Sequence, residues 1–137
     1  MKENRARIIF ATVVILIVVV LLVSGGLYLY RLSSYKSIVA NAVVATPDLA
    51  LCEDGQYEGS FDAIIVAATV KVTLKDHQIT AIEILEHKTD RGHKAEPITE
   101  LVIATQSLEV DTVSGATNSS TVILMAIQDA LEQAQGR

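Results

Sequence analysis

The sequence predicts an α+β protein: a small antiparallel sheet with two packed C-terminal helices, preceded by a single N-terminal transmembrane helix. Three patterns predict this class: an apolar run from Ile8 to Tyr30, alternating apolar residues within Val66–Lys75, and an apolar stripe at helical spacing within Val122–Leu131. Beyond the apolar run, the 137-residue chain has room for one small domain, which excludes a second catalytic domain.

The apolar run from Ile8 to Tyr30 contains no charged residue. At about 1.5 Å of rise per residue, a helix of this length crosses the roughly 30 Å hydrocarbon core of a membrane. A cleaved secretory signal is the alternative, because a short basic segment precedes the run. Signal cores, however, span roughly 7 to 15 residues and end at small residues, whereas this run ends at Tyr28, Leu29 and Tyr30. We therefore predict an uncleaved, single-pass anchor in the lipid bilayer of the cell membrane.

The charged residues that flank the run predict its orientation. Lys2, Arg5 and Arg7 precede it, and Arg31 and Lys36 follow it, so the excess of basic residues favours an N-terminus inside the cell. The predicted organisation is a short basic cytoplasmic tail at 1–7, a transmembrane helix at 8–30, a stalk at 31–52 and an extracytoplasmic domain at 53–137.

The part of the chain after the anchor is acidic. Residues 32–137 carry 7 basic and 15 acidic side chains, a net charge of −8. Such a surface disfavours nucleic acid and anionic lipid alike, so no nucleic-acid partner is predicted. Cys52 is the single cysteine, which rules out an internal disulfide, and we predict that it is a lone buried thiol.

The stalk is predicted to be helical in its first part, until Pro47 interrupts the helical spacing. Asp54 and Gly55 then mark a turn, and Gln56–Phe61 predicts a short strand. Gly59 within that strand indicates close approach of another backbone or of a ligand. A plain hairpin turn explains the same segment equally well.

The clearest strand pattern is Val66–Lys75, in which one face is apolar and the other polar. After a turn at Asp76–Gln78, the segment Ile79–Leu85 is apolar on both faces. We therefore predict a hairpin whose second strand is the more central of the two. The residues predicted to face the core from the first strand are Val70, Val72 and Leu74.

The segment Glu86–Lys94 is polar and predicts an exposed loop. The histidines at 77, 87 and 93, together with Cys52, do not have the spacing of a zinc site. Polar histidines scattered in loops are typically solvated, so no metal site is predicted.

Two helices are predicted near the C-terminus. Pro97 stands at a favourable first helical position and predicts a helix over Glu96–Ser107, followed by a short extended segment over Leu108–Val113. The capping residues Asn118–Ser120 predict where the last helix begins. Its apolar stripe, opposite a polar face, consists of Val122, Ile123, Ala126, Ile127, Ala130 and Leu131.

The segment Asp111–Thr117, which reads Asp-Thr-Val-Ser-Gly-Ala-Thr, leads into this last helix. Small residues and hydroxyls bring a thin loop onto a helix start, where unpaired backbone N–H groups and the positive end of the helix dipole favour a phosphate. The residues therefore predict an anion site. An ordinary helix cap with small residues in a tight space is the alternative.

The same segment matches the pattern Asp-x-x-Ser-Gly-Ala-Thr, and by it the chain resembles the FMN-binding domain family. Covalently flavinylated members of that family occur in sodium-translocating NADH:quinone reductases and Rnf-type complexes. The resemblance extends to Asp54–Ser60, which is similar to the family's opening strand, and to a loop at His87–Thr89. In that loop the family often reads Glu-Thr-Pro-Gly, whereas this chain has Lys88–Gly92.

The resemblance implies that FMN is the cofactor and that a phosphoester bond joins it to Thr117. It further implies that a separate, FAD-dependent flavin transferase installs the bond. Asp111, Ser114, Gly115 and Ala116 then shape the loop that the transferase recognises.

The resemblance also implies that Thr89 contacts the flavin. Arg91 and Lys94 are interpreted as surface charges, although either has the charge to offset that of the flavin. The implied function is electron transfer from a membrane donor to an extracytoplasmic acceptor, by a domain or subunit rather than by a stand-alone enzyme. Two alternatives stay open: a module that holds FMN or another phosphate ligand non-covalently, and a flavin-less accessory subunit of a membrane redox complex.

Other chemistries lack their required residues. Ser114 has no glycine two places earlier, as a Gly-x-Ser-x-Gly nucleophile elbow requires. The sequence also contains no Gly-x-Gly-x-x-Gly fingerprint for a dinucleotide. No catalytic residue is therefore predicted.

Overall fold

A computed structural model describes residues 2–89 and 92–136. The chain divides into two compact units, Met1–Ser34 and Tyr35–Arg137. Helix α1 (Lys2–Asn41) begins in the first unit. Over Asn4–Asn41 it is long and apolar enough to cross a membrane, with a mean hydropathy of 3.2 in its most apolar window. By length and composition it suits a membrane span, and a signal sequence near an N-terminus satisfies the same criteria.

The second unit contains a three-stranded antiparallel sheet of β1 (Gly55–Asp62), β2 (Ala67–Lys75) and β3 (Gln78–Lys88) in the order β1-β2-β3. The prediction of a small antiparallel sheet with helices against it is confirmed. The prediction that the second hairpin strand is the more central one is wrong, because β2 lies in the middle and β3 is an edge. Accordingly, Ile79 at the start of β3 is buried, but Ile82 and Ile84 are only half-buried and Leu85 is 42% exposed.

The turn between β2 and β3 consists of Asp76 and His77, which have φ values of 53° and 59°. A two-residue hairpin with positive φ at both positions has a twist that matches the flanking strands. Asp54 holds this turn, because its carboxylate accepts hydrogen bonds from the N–H groups of Asp76 (3.0 Å) and His77 (3.3 Å). These two backbone hydrogen bonds lower the pKa of Asp54 below its usual value.

The segment predicted as an exposed loop, Glu86–Lys94, is partly structured. β3 continues through Lys88, and Gly92–Ala95 form a 3-10 helix. His93 is solvated as predicted, with 70% of its side chain exposed, but His87 is not, since its side chain is only 3% exposed. The prediction failed for His87 because the strand extends beyond the last apolar residue and carries this histidine against the domain.

Helix α2 spans Ile98–Thr105, which is shorter than predicted. Pro97 is its N-cap rather than its first residue, and the left-handed Gln106 (φ 54°) ends it. Ile98 and Val102 are fully buried, whereas Leu101, next to Val102, is 47% exposed. The segment predicted as extended, 108–113, has neither helix nor strand in the structure.

Helix α3 (Thr117–Ala134) packs across β1 and β2, and the six residues of its predicted stripe are fully buried. The predicted inward residues of β2 are buried as well. Gly59 in β1 lies against the helix, where a Cβ would overlap Ala126 O and Ala130 N. The prediction of close backbone approach at Gly59 is therefore confirmed, and the plain hairpin turn is not what this segment forms.

Residues 42–52, within the predicted stalk, make hydrogen bonds to the rest of the second unit. Leu108 N donates to Thr46 Oγ1 (2.8 Å), and Gln135 Nε2 donates to the carbonyl oxygen of Asp48 (2.8 Å). Cys52 is 1% exposed, which confirms a buried free thiol. Burial, and secondarily the charge of Asp48, raise the pKa of this thiol, so it is a poor nucleophile.

Candidate functional site

Helix α3 begins at Thr117, earlier than its capping residues suggested. Asn118–Ser120 lie inside the first turn, so the prediction that they precede the helix is wrong. Ala116 is the N-cap and makes no side-chain cap hydrogen bond. The first N–H groups of a helix have no partner within it. Among the described residues, no protein group accepts from the N–H groups of 117–119, which leaves three donors for a ligand.

The loop before α3 is held in place by Ser120, which is fully buried. Ser120 Oγ donates to the carbonyl oxygen of Ala116 (3.0 Å) and accepts from the N–H of Val113 (3.0 Å). Ala116 N also donates to Val113 O (2.9 Å), which closes a turn. Gly115 has a φ of 78°, a left-handed conformation that glycine adopts without strain. Together these contacts fix the start of α3 relative to the loop.

The chain after β3 is brought to the same place. Gly92 N donates to Thr89 Oγ1 (2.7 Å), and Thr89 Oγ1 lies 3.4 Å from Ser119 Oγ. A Cβ at Gly92 would overlap both Ser119 Oγ and Thr89 Oγ1. The absence of a side chain at 92 therefore lets this segment pack against the first turn of α3.

A pocket of about 420 Å³ lies between these elements, and its volume is within the range of small-molecule sites. One part of its lining is polar and includes the free end of α3 with the hydroxyls of Thr89, Thr117 and Ser119. Another part is apolar. The lining residues are Tyr35, Ile65, Val66, Thr89, Gly92, Gly115, Ala116, Thr117, Asn118 and Ser119.

The structure brings four of the six sequence-predicted site residues into this lining: Thr89, Gly115, Ala116 and Thr117. The other two, Asp111 and Ser114, are exposed on the loop before α3 and are not among the lining residues. Lys94 is likewise exposed outside the lining. Arg91 lies outside the described residues.

Sequence reasoning did not assign Tyr35, Gly92 or Ser119 to the site. Tyr35 lies in the C-terminal part of α1 and is 8% exposed. It is far from the motif in sequence, so no local pattern predicted that it would line the pocket. Gly92 could have been identified from the sequence. A glycine in a polar loop indicates close approach of the backbone to another group as often as it indicates a turn. Ser119 was interpreted as a capping residue instead.

The fold and the pocket define a class: a small α+β domain in which the N-terminus of a helix and an apolar wall border an open pocket. The model of the FMN-binding domain family matches residues 66–132, from the start of β2 to near the end of α3. Residues 66–132 therefore match an FMN-binding domain, and this match supports FMN as the cofactor.

One similar protein comes from Treponema pallidum (strain Nichols) and is described as uncharacterized. It is 30% identical to this chain over 86 residues, which are 61% of this chain and 24% of the relative. The chain therefore spans about a quarter of that relative's length.

Proposed function

We propose that this chain is a membrane-anchored flavoprotein that carries FMN covalently, through a phosphoester bond to Thr117, for electron transfer. One observation carries the proposal. Thr117, the last residue of the Asp-x-x-Ser-Gly-Ala-Thr motif, is exposed at the first position of α3 and lines the pocket.

The lining of the pocket fits FMN at both of its ends. The N–H groups of 117–119 would hold the phosphate, because a helix start combines free donors with the positive end of the dipole. Ile65 and Val66 offer apolar surface to the flavin ring, and the Thr89 hydroxyl offers it a hydrogen bond. No charged side chain is needed for the phosphate in this arrangement.

The exposure of Thr117 suits attachment by a separate enzyme. The Thr117 hydroxyl oxygen forms the new bond to the phosphorus of the FMN half of FAD, the phosphorus–oxygen bond to AMP breaks, and the hydroxyl proton is released. The products are the flavinylated chain and AMP, so no oxidant or reductant is required. Asp111 and Ser114 are exposed on the loop that precedes Thr117, so an FAD-dependent flavin transferase can bind them.

Flavins transfer one or two electrons, and the protein supplies tethering and orientation. Helix α1 would anchor the chain in the cell membrane with the N-terminus inside and the FMN-binding domain outside. In that place a covalent bond prevents the loss of a cofactor that the cell has no means to recover. The domain would then connect a membrane electron donor with an extracytoplasmic acceptor.

Peptide mass mapping tests the attachment. The full chain is co-expressed with an active flavin transferase, and we expect FMN less one water on the peptide that contains Thr117. Thr117→Ala should keep the fold and lose the fluorescent band in a denaturing gel. Thr121→Ala, which removes a hydroxyl one turn further along α3, is the matched control and should keep the band.

The possible outcomes of this experiment separate the candidate functions and test the attachment site. Flavin that is covalent in the wild type and absent from Thr117→Ala supports the proposal. Flavin that copurifies with both proteins but leaves both on denaturation supports a non-covalent binding module. Lack of flavin in both, with a demonstrably active transferase, supports a flavin-less accessory subunit. An adduct on Ser119 or Ser120 would move the attachment site.

Protease accessibility tests the membrane topology. In cells stripped of any wall or outer membrane, added protease should digest residues 50–137 of the full chain, and the chain should require detergent for extraction. A chain that is soluble without detergent, or a domain that is protected until the membrane is lysed, would contradict this topology.

A further inference from the structure

Three potential metal ligands converge at a place outside the flavin pocket. His87 lies near the end of β3, His93 in the 3-10 helix and Glu96 just before α2. Glu96 Oε1 lies 3.2 Å from His87 Nδ1 and 2.8 Å from His93 Nδ1. One ligand atom from each of the three residues lies within 4.8 Å of the other two.

The spacing of these atoms is close to that of a metal site. Zinc bonds of about 2.1 Å in a tetrahedral arrangement place the ligand atoms about 3.4 Å apart. To bind the same ion, Glu96 Oε1 must therefore move a few tenths of an ångström away from the Nδ1 atoms of His87 and His93. Its side chain can make this movement because it is 41% exposed. His93 is 70% exposed and can reorient in the same way.

His87 is the fixed member of the cluster. Its side chain is 3% exposed, and its Nε2 has no hydrogen-bond partner among the described residues. The rings of His87 and His93 are in edge contact, with centroids 5.8 Å apart and an interplanar angle of 75°. The burial of His87 keeps its ring in place, and Nδ1, the ring nitrogen that lies 3.2 Å from Glu96 Oε1, is the atom that would bind the ion.

The chemistry of the three ligands favours zinc. Imidazole nitrogen binds Zn²⁺ well but suits Mg²⁺ and Ca²⁺ poorly. Two histidines and one glutamate leave the fourth position of a tetrahedral ion to water, as in known open zinc sites. The adjacent cleft is lined by the same His93 and Glu96 and by Glu100, so it admits that water and adds negative charge.

We propose that His87, His93 and Glu96 bind one Zn²⁺ ion, with water in the fourth position. The ligands His87 and His93 flank the segment that contains Thr89 and Gly92, both of which line the flavin pocket. A bound ion thereby joins the end of β3 to the 3-10 helix and fixes that wall of the pocket. The site goes beyond the proposed flavin function and does not depend on it.

No metal site was predicted from the sequence because only the spacing of the three histidines and Cys52 was compared with that of zinc sites, and Glu96 was not included. His77, included there, lies elsewhere and its Nδ1 is 3.0 Å from the carbonyl oxygen of Cys52. His93 and Glu96 are three residues apart and share one face of a helical turn. Only the extension of β3 brings His87 beside them.

Cobalt titration of the tag-free full chain in detergent, stripped of metal and prepared without flavin transferase, tests the proposal. We expect one Co²⁺ per chain with the visible absorption of a four-coordinate ion, displaced by Zn²⁺ and not by Mg²⁺. His93→Gln and Glu96→Gln should each weaken binding at least tenfold, while His77→Gln should bind as the wild type does. Circular dichroism checks that each variant is folded.

A second measurement guards against adventitious binding. Saturating Zn²⁺ should raise the Tm of the wild type and of His77→Gln, because a ligand that binds the native state stabilises it, but should leave that of His93→Gln unchanged. A wild type without the cobalt spectrum, or a His93→Gln variant that binds as tightly as the wild type, would overturn the proposal. Because no flavin is present, either result leaves the flavin function untouched.

Discussion

The backbone of Gly92 lies directly against the side chain of Ser119, with no room for a Cβ between them. This contact joins the segment that follows β3 to the first turn of α3, although the two are distant in sequence. Since Gly92 and Ser119 both line the pocket, the contact also determines the width of the site at this point.

Replacement of Gly92 by alanine should therefore displace this wall. We expect Gly92→Ala to destabilise the full chain by about 1–3 kcal/mol, as overpacking does, and to reduce flavin loading. Thermal unfolding in detergent and flavin absorbance per chain measure the two effects.

Gly115→Ala is an informative comparison, because a Cβ there meets nothing within 4 Å but the φ of 78° is left-handed. It should cost about 1–2 kcal/mol through backbone strain alone. If Gly92→Ala unfolded at the wild-type temperature with full flavin loading, the close packing of Gly92 on Ser119 would be refuted.

Ser120 is expected to control the loop without contacting the ligand. Ser120→Ala leaves the N–H of Val113 without its partner, which should cost about 1–3 kcal/mol. Loading at Thr117 should fall because the loop loses its fixed position. Thr121→Val removes a neighbouring hydroxyl whose hydrogen bond is solvent-exposed, so the change should be within about 0.5 kcal/mol. Equal effects of the two substitutions would mean that Ser120 does not hold the loop.

The approach of α3 to β1 depends on Gly59. Gly59→Ala places a methyl group on Ala126 O and Ala130 N, both in the helix backbone, and neither can move alone. We expect a loss of about 1–3 kcal/mol or more in urea unfolding of the full chain. Ser60→Ala, at the exposed neighbouring position of the same strand, should have little effect. A tolerated Gly59→Ala would show that the helix can shift away from the sheet at low cost.

Asp54 should make folding stability depend on pH. Its pKa is lower in the folded chain than its usual 3.8, because the ionised carboxylate accepts two backbone hydrogen bonds. The stabilisation is therefore complete above the unfolded pKa and is lost as the pH falls through the lower, folded pKa.

The comparison with Asp54→Asn isolates this effect, since asparagine accepts a hydrogen bond but does not titrate. Urea unfolding between about pH 6 and pH 3 should show the wild type approaching the variant in stability as the pH falls. A stability difference that stays constant over that range would exclude Asp54 as the titrating group.

Local patterns in the sequence predicted most of the elements, although not all of their bounds, and the motif. The apolar run, the alternation in β2 and the stripe of α3 are local patterns, because each repeats with the period of the backbone that carries it. The motif Asp111–Thr117 could also be recognised from the sequence, because its residues lie in one continuous segment. The resemblance to the FMN-binding domain family rests mainly on this motif. Gly59 signalled a close approach, and α3 makes it.

Contacts between residues that are distant in sequence could not be predicted from local patterns. The apolar residues on both faces of β3 did not show that it is an edge strand. The same pattern is expected for a central strand and for an edge strand that a helix contacts, as α2 contacts β3. Tyr35 reaches the pocket, Ser119 faces Gly92, and His87 joins His93 and Glu96 through contacts between elements. Such contacts depend on how far β3 extends and where α3 begins, and both boundaries result from packing of the whole domain rather than from local propensity.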